Sequence, residues 1–304
     1  MNVNRSVKKS KLKGILFILT AAFGFSLMTT FVKLAGNDLP SYQKAFFRNF
    51  VALIFVAAIM LKKHESFIPG KGNLKYLIGR AAFGTAGLLC NFYAIDRLVL
   101  ADANMLNKLS PFFAIIFSVI LLKEKPNLVQ ITGVIVAFAG AVLIIKPGFA
   151  NTDIIPSLAG VLGGMGAGIA YTYVRKLGLR GENSSLIIFF FSAFSCLVCI
   201  PFMMVSFTPM SAKQWIYLIL AGLFACVGQF GITKAYVYAP AKEISVYDYT
   251  QILFAAILGF FIFDQVPDLL SIAGYFLICG AGIWMFIYNN RKAHSADKLD
   301  LCEK

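Results

Sequence analysis

The sequence predicts an all-α membrane protein of ten transmembrane helices, arranged as two inverted five-helix repeats. Three observations carry this: ten successive apolar segments, basic residues confined to alternate loops, and a likeness between the two halves. A hydrocarbon core of about 30 Å is crossed by about 20 apolar residues at about 1.5 Å rise each. With 59% hydrophobic residues, 14% charged and a mean hydropathy of +0.77, the chain is more apolar than a soluble domain, whose apolar share is about 45–50%.

In chain order the expected spans are Gly14 to Leu34, Tyr42 to Leu61, Asn73 to Ile95, Ala101 to Leu122 and Leu128 to Ile145. After a short link come Ser157 to Val174, Ser185 to Phe207, Lys213 to Val237, Glu243 to Phe263 and Asp268 to Tyr288. No loop exceeds about fifteen residues, so no soluble module is expected. The first apolar run follows a basic segment as a secretory signal does. At about 21 residues and without an A-x-A site, it reads as an uncleaved first helix.

The net charge of +14 invites a nucleic-acid reading, but about 19 of the 28 Lys and Arg lie in the termini and alternate loops. That distribution follows the positive-inside rule rather than a binding stripe, so nucleic acid is not expected as a partner. The N-terminus carries Arg5, Lys8, Lys9, Lys11 and Lys13, whereas the opposite loops offer only Lys44, Arg97, Lys146 and Lys213. Both termini are therefore expected in the cytoplasm of a cell-membrane protein, with an even number of spans. The expected units are residues 1–13, a basic N-terminus; 14–146, the first repeat; 147–156, a linker; 157–288, the second repeat; and 289–304, a cytoplasmic tail.

The repeat is visible when ADANMLNKLSPFFAIIFSVILLKEKP from Ala101 is laid on AKEISVYDYTQILFAAILGFFIFDQVP from Ala241, which sets Lys108 against Asp248 and Pro111 against Gln251. Each copy runs into a glycine-rich last helix. Five is odd, so the second copy must enter the bilayer upside down. The basic Lys123-Glu124-Lys125 loop and its acidic counterpart Asp264 to Asp268 point the same way. Inverted repeats around a midplane site are a construction rule of secondary transporters.

The "FFRN" at Phe46 to Asn49, the "NKLSPFFAIIFSVILLKEK" of helix four and "YAPAKEISVYDYTQILFAAILGFFIFDQVPD" from Tyr238 to Asp268 resemble the EamA-like branch of the drug/metabolite transporter superfamily. The resemblance covers both halves. It implies ten helices with both ends cytoplasmic, and a central cavity framed mainly by helices 1 to 4 and 6 to 9. It implies transport of small metabolites without naming one. Where the family pattern has an acidic-basic pair after helix nine, this chain has Asp264-Gln265, so no role of that basic residue carries over.

An ionisable group at bilayer depth costs about 2.5 to 3.5 kcal/mol on insertion scales and marks a candidate site. Lys33, Arg48, Arg80, Lys108 and Lys234 qualify, against Asp248 as the only deep carboxylate and Glu243 at a helix end. Lys33, Arg80 and Lys234 lie within a turn or two of a span end, where snorkelling competes equally with a site role. Arg48 and Lys108 lie deeper.

Helix four sets Asn104, Asn107, Lys108 and Pro111 on one face, and Pro111 can leave the Asn107 carbonyl without its helical partner. Helix nine repeats the stripe with Tyr247, Asp248 and Gln251. The two stripes are expected to face each other across the pathway, with interhelical hydrogen bonding as the plainer alternative. Asn91 and Gln229 add polar groups from helices three and eight; Tyr171 and Tyr173 read as interfacial anchors. Gly160, Gly164 and Gly168 read as a helix-packing face.

The substrate-pathway candidates are thus Arg48, Asn91, Asn104, Asn107, Lys108, Gln229, Tyr247, Asp248 and Gln251, with Asp248 as the candidate for proton coupling. Cys196 and Cys199 form a CxxC without a companion pair, so no metal is expected; no P-loop supports direct ATP drive and no cofactor is implied. The absence of HExxH, GxSxG or paired deep carboxylates speaks against an intramembrane enzyme; a channel is the other rival. The excess of basic over acidic groups at depth predicts a small substrate bearing an anionic group, such as an amino acid, carboxylate or nucleoside-like metabolite, moved by alternating access. Its other partner is the lipid bilayer, and pairing of two chains as a homodimer is left open.

Overall fold

Lipid offers no partner to a backbone N–H or C=O, so a crossing segment must close its own hydrogen bonds, and this chain does so with helices. The computed structural model describes residues 2–122, 127–146, 154–238 and 245–302. The helices are α1 (Asn2–Leu34), α2 (Ser41–Lys62), α3 (Leu74–Arg97), α4 (Leu100–Asn107), α5 (Ser110–Leu122) and α6 (Leu128–Ile145). There follow α7 (Ile154–Leu179), α8 (Ser184–Val205), α9 (Ala212–Tyr238), a 3₁₀ turn (Ser245–Tyr249), α10 (Thr250–Phe263) and α11 (Leu269–Cys302). Among the described residues, eight stretches are long and apolar enough to cross a membrane, α4 and α5 counting as one. The expected ten exceed these by α3, which carries Arg80, Asn91 and Asp96 along its length, and by the shorter Tyr247–Phe263 segment. The chain is a multi-pass, all-helical membrane protein.

Two expectations need correction in detail. The fourth helix is not continuous from Ala101 to Leu122: it breaks after Asn107 and restarts at Ser110. The reason is local, because Pro111 has no N–H with which to satisfy the Asn107 carbonyl, and its ring resists the preceding helical turn. The ninth helix, expected from Glu243, is described only from Ser245, where it is a tight 3₁₀ turn before α10. Glu243, the Lys123 to Pro126 loop, most of the linker, and the side chains of Thr233 and Lys234 lie outside the described residues.

Two helix starts use side-chain caps. Asn127 and Gln130 form a reciprocal capping box at α6, and Asn183 accepts from the Ser185 N–H at α8, so the sequon asparagine serves as a cap.

The packing obeys an exchange rule. If each helix is swapped for the one five crossings later, α1·α9 becomes α3·α7, α5·α7 becomes α1·α10, and α2·α9 becomes α3·α8, all of which are observed packings. The pairs α2·α8, α6·α11 and α4·α10 map onto themselves. Close approach comes from glycine, as membrane helices lacking a hydrophobic drive toward each other require. A Cβ on Gly140 of α6 would stand 2.9 Å from the Gly274 carbonyl oxygen of α11, and one on Gly166 of α7 would stand 2.7 Å from the Gly87 Cα of α3. The Gly160, Gly164, Gly168 face of α7 packs on the broken helix: Cβ atoms at Gly164 and Gly168 would lie 2.8 Å from the Leu106 oxygen and 2.7 Å from the Ser110 oxygen.

Candidate functional site

The break in the fourth helix meets the 3₁₀ turn that leads into α10. Lys108, which caps α4, donates from Nζ to Asp248 Oδ2 in the 3₁₀ turn at 2.5 Å. One turn away, Gln251 Nε2 of α10 donates to Asn104 Oδ1 of α4 at 2.8 Å, while Asn104 Nδ2 donates back to the Leu100 carbonyl at 2.7 Å. Ser26 of α1 donates to the Gln251 carbonyl at 2.9 Å. The polar stripes of helices four and nine are therefore in direct contact.

Beside this junction lies a cavity of about 110 Å³. From α4 and the break it takes Asn104, Asn107, Lys108 and Ser110; from the 3₁₀ turn and α10 it takes Asp248 and Gln251. Helix α2 contributes Arg48, α3 contributes Arg80 and Asn91, α7 contributes Tyr171, and α9 contributes Gln229. Apolar walls come from Phe25, Met28, Leu88, Phe191 and Ile232. Of the nine residues singled out from the sequence, the structure brings eight to this cavity. The ninth, Tyr247, packs instead against Ile18 and Ala235.

The electrostatics are uneven. Among the described residues, three cations and one carboxylate line the cavity, and the carboxylate is already engaged by Lys108. Arg48 Nη1 donates to Asn49 Oδ1 at 2.5 Å, and Asn49 is itself held by its Nδ2 donating to Ser195 Oγ and to the Ala45 carbonyl, both at 2.9 Å. The Arg80 guanidinium lies over the Phe191 ring, 3.9 Å from its centroid. Arg48 Nε, Arg80 Nε, Asn91 Oδ1 and Asp248 Oδ1 are buried without a hydrogen-bond partner. Unsatisfied polar atoms at one cavity are what a site awaiting a polar ligand leaves behind.

Arg80, left open between snorkelling and a site role, and Tyr171, read as an interfacial anchor, line the cavity although neither is among those nine. Arg80 had a legible signal: Arg80, Gly84, Gly87 and Asn91 recur at helical spacing and all line the cavity. Lys33 does not snorkel to water. It donates to the Ile95 carbonyl at 2.9 Å and to the Leu98 carbonyl, inside the protein. Asp248 is also not the only deep carboxylate. Asp96 is buried against Lys44, and Asp102 Oδ1 accepts from the Tyr275 hydroxyl at 2.5 Å. Both stand near helix ends, where the linear sequence reads as boundary but neighbouring helices still cover the side chain.

The sequence profile of the EamA-like transporter family matches the chain twice, over residues 12–146 and 154–288. The chain belongs to this family. It is 32% identical over 271 residues to a pseudopaline exporter, CntI, of Pseudomonas aeruginosa, covering 89% of this chain and 94% of that protein. Solute carrier family 35 member G1 of Homo sapiens is 27% identical, covering 89% of this chain and 78% of its own length. A riboflavin transporter of Brucella anthropi is 22% identical over 92% of this chain and all of its own length. A crystal structure sharing 14% identity superimposes with a TM-score of 0.66 over 91% of this chain and 98% of that one, which shows the fold. Family and relatives are transporters of the drug/metabolite superfamily rather than enzymes.

Proposed function

We propose that this EamA-family transporter moves a small organic metabolite bearing an anionic group through the cavity at Lys108 and Asp248, by alternating access. The observation that carries this reading is the charge imbalance of the cavity, three cations against one carboxylate among the described residues. Buried positive charge requires counter-charge when the site is dry, and an anionic substrate supplies it. The broken fourth helix and the 3₁₀ turn that leads into α10 support the location, since irregular backbone at depth is tolerated where it lines a cavity.

The exchange rule of the packing and the paired family match support two inverted repeats of five helices, residues 14–146 and 157–288, that rock about the site. In this reading both termini are cytoplasmic in the cell membrane, and Asp248 is the proton-coupling candidate. Cysteines placed at Glu124 and Gln265 on a cysteine-free background should then react with an impermeant thiol reagent from opposite faces; reaction of both from one face defeats the inverted arrangement.

Within the site, Lys108 and Asp248 form an exchangeable contact. A substrate anion can take the Lys108 ammonium, or a proton the Asp248 carboxylate, and either event loosens the junction between the halves and shifts the conformational equilibrium. The test of function is uptake and counterflow in proteoliposomes loaded with a mixed metabolite pool. Saturable exchange of anionic metabolites is expected. Selective exchange of plain cations, or unsaturable leakage, overturns the reading.

A further inference from the structure

Among the described residues, four other cations buried or half-buried at helix junctions are each answered by an acceptor. Lys44 pairs with Asp96 at 2.5 Å, Lys108 with Asp248 at 2.5 Å, Lys146 with Asp268, and Lys33 with two carbonyls. Arg48 and Arg80 differ. Among the described residues neither forms an ion pair, and each is positioned by a neutral group: Asn49 for Arg48, the Phe191 ring for Arg80. Both are deeply buried, at 3% and 6% exposure, and each keeps an Nε donor with no partner. Both line the same cavity.

The two guanidinia are held in place rather than neutralised. Asn49 is itself fixed by Ser195, so Arg48 cannot swing freely. Gly84 leaves the room that Arg80 occupies, since a Cβ there would fall 2.4 Å from Arg80 Nη1. A guanidinium seated over a ring keeps its N–H edge for a coplanar acceptor, the geometry in which arginine grips carboxylate and phosphate oxygens. Because Lys108 and Asp248 cancel each other, the uncompensated charge among the described residues of the site belongs to these two arginines. A monoanion answers one and leaves the other stranded, whereas two negative charges on one molecule answer both.

We propose that Arg48 and Arg80 form a two-guanidinium clamp for a doubly charged organic anion, a dicarboxylate or a phosphomonoester. This rests on the anionic-substrate reading above and narrows it from one charge to two.

The test is thermal unfolding of the purified full-length protein near neutral pH, at constant ionic strength and chloride, titrated with succinate, glycerol 3-phosphate, butyrate and lysine. Succinate or glycerol 3-phosphate should raise Tm saturably while butyrate does not, and which of the two acts tells carboxylate from phosphate. Arg48→Gln and Arg80→Gln should each weaken the apparent affinity for that dianion about tenfold or more. Without ligand neither variant should melt below the parent, because each removes an uncompensated buried charge. Arg48→Lys and Arg80→Lys should restore part of the response.

Equal stabilisation by butyrate and succinate, lost in both Gln variants, overturns the two-charge clamp but leaves the single-anion reading standing. A dianion response that persists in both Gln variants also overturns the clamp alone, as does a ligand-free Tm that falls in both, which marks the arginines as structural. Stabilisation by lysine with no response to any anion overturns the clamp and the anionic-substrate reading together.

Discussion

Two lysine–aspartate pairs of identical chemistry and length sit in different surroundings. Lys44–Asp96 joins α2 to the end of α3 at 2.5 Å with side chains 0% and 2% exposed; Lys108–Asp248 joins the break after α4 to the 3₁₀ turn before α10 at 2.5 Å with side chains 10% and 19% exposed. The first lies within the N-terminal half and away from the cavity. The second crosses between the halves, borders the cavity, and leaves Asp248 Oδ1 with an unused lone pair. A sealed pair has no competitor for its charges, so it acts as a fastening. A pair at a cavity wall can trade its partner for substrate, proton or water, so it can act as a switch. Burial, rather than bond length, separates the two roles.

The comparison is broken most forcefully at the sealed pair. Asp96→Asn strands the Lys44 ammonium in a dry site, and Lys44→Met strands the carboxylate; each should lower stability by about 3 to 5 kcal/mol, the usual consequence of removing one partner of a buried pair. The double variant should recover most of that loss. Thermal unfolding of the three proteins measures it, and single variants as stable as the parent would show that water reaches Lys44.

At the cavity pair the order of effects reverses. Lys108→Met and Asp248→Asn should destabilise by about 1 to 3 kcal/mol, less than the sealed pair because water can enter beside the orphaned charge, while transport falls at least tenfold. In the double variant the stability losses should be less than the sum of the singles. Strict additivity would mean that the two residues do not interact, and full transport in either single variant would remove the pair from the mechanism.

The cavity pair was legible in the sequence for a specific reason. The repeat register sets Lys108 against Asp248, each within a polar stripe, and α4 packs on α10, which brings the two side chains together. Location within a span was equally legible for Arg48, Asn91 and Gln229, because polar residues stand out against apolar neighbours. The face a residue presents was harder. On a continuous α-helix Tyr247 would share a face with Gln251, four residues on, yet the 3₁₀ turn, with its tighter winding, carries it against Ile18. Arg80 was masked by its nearness to a span end, where snorkelling competes. The fastening pair was masked more thoroughly: Lys44 reads as a loop cation and Asp96 as a boundary residue, since a single sequence carries no sign of which helix ends other helices cover.

The smallest effect belongs to a third lysine–aspartate pair, which extends the series to the surface. Lys146, at the end of α6, donates to Asp268, which also accepts from the Ser271 N–H at 2.8 Å; the side chains are 30% and 58% exposed. The Lys146 hydrogen bond, reinforced by that backbone N–H, holds the Asp268 carboxyl below the usual carboxylate range. A carboxyl with a folded-state pKa below its unfolded value of about 3.9 adds stability that is fully present above that value. The contribution is lost as pH falls through the lower, folded-state pKa. At this exposure solvent screening limits it to about 0.2–1 kcal/mol. Asp268→Asn should therefore melt slightly below the parent at neutral pH, and the gap should close as the pH drops below the ordinary carboxylate range. It should also shrink on adding salt, which the sealed Lys44–Asp96 pair should not feel. A neutral-pH loss for Asp268→Asn as large as that for Asp96→Asn would break the ranking, since burial would then not be what sets the strength of these pairs.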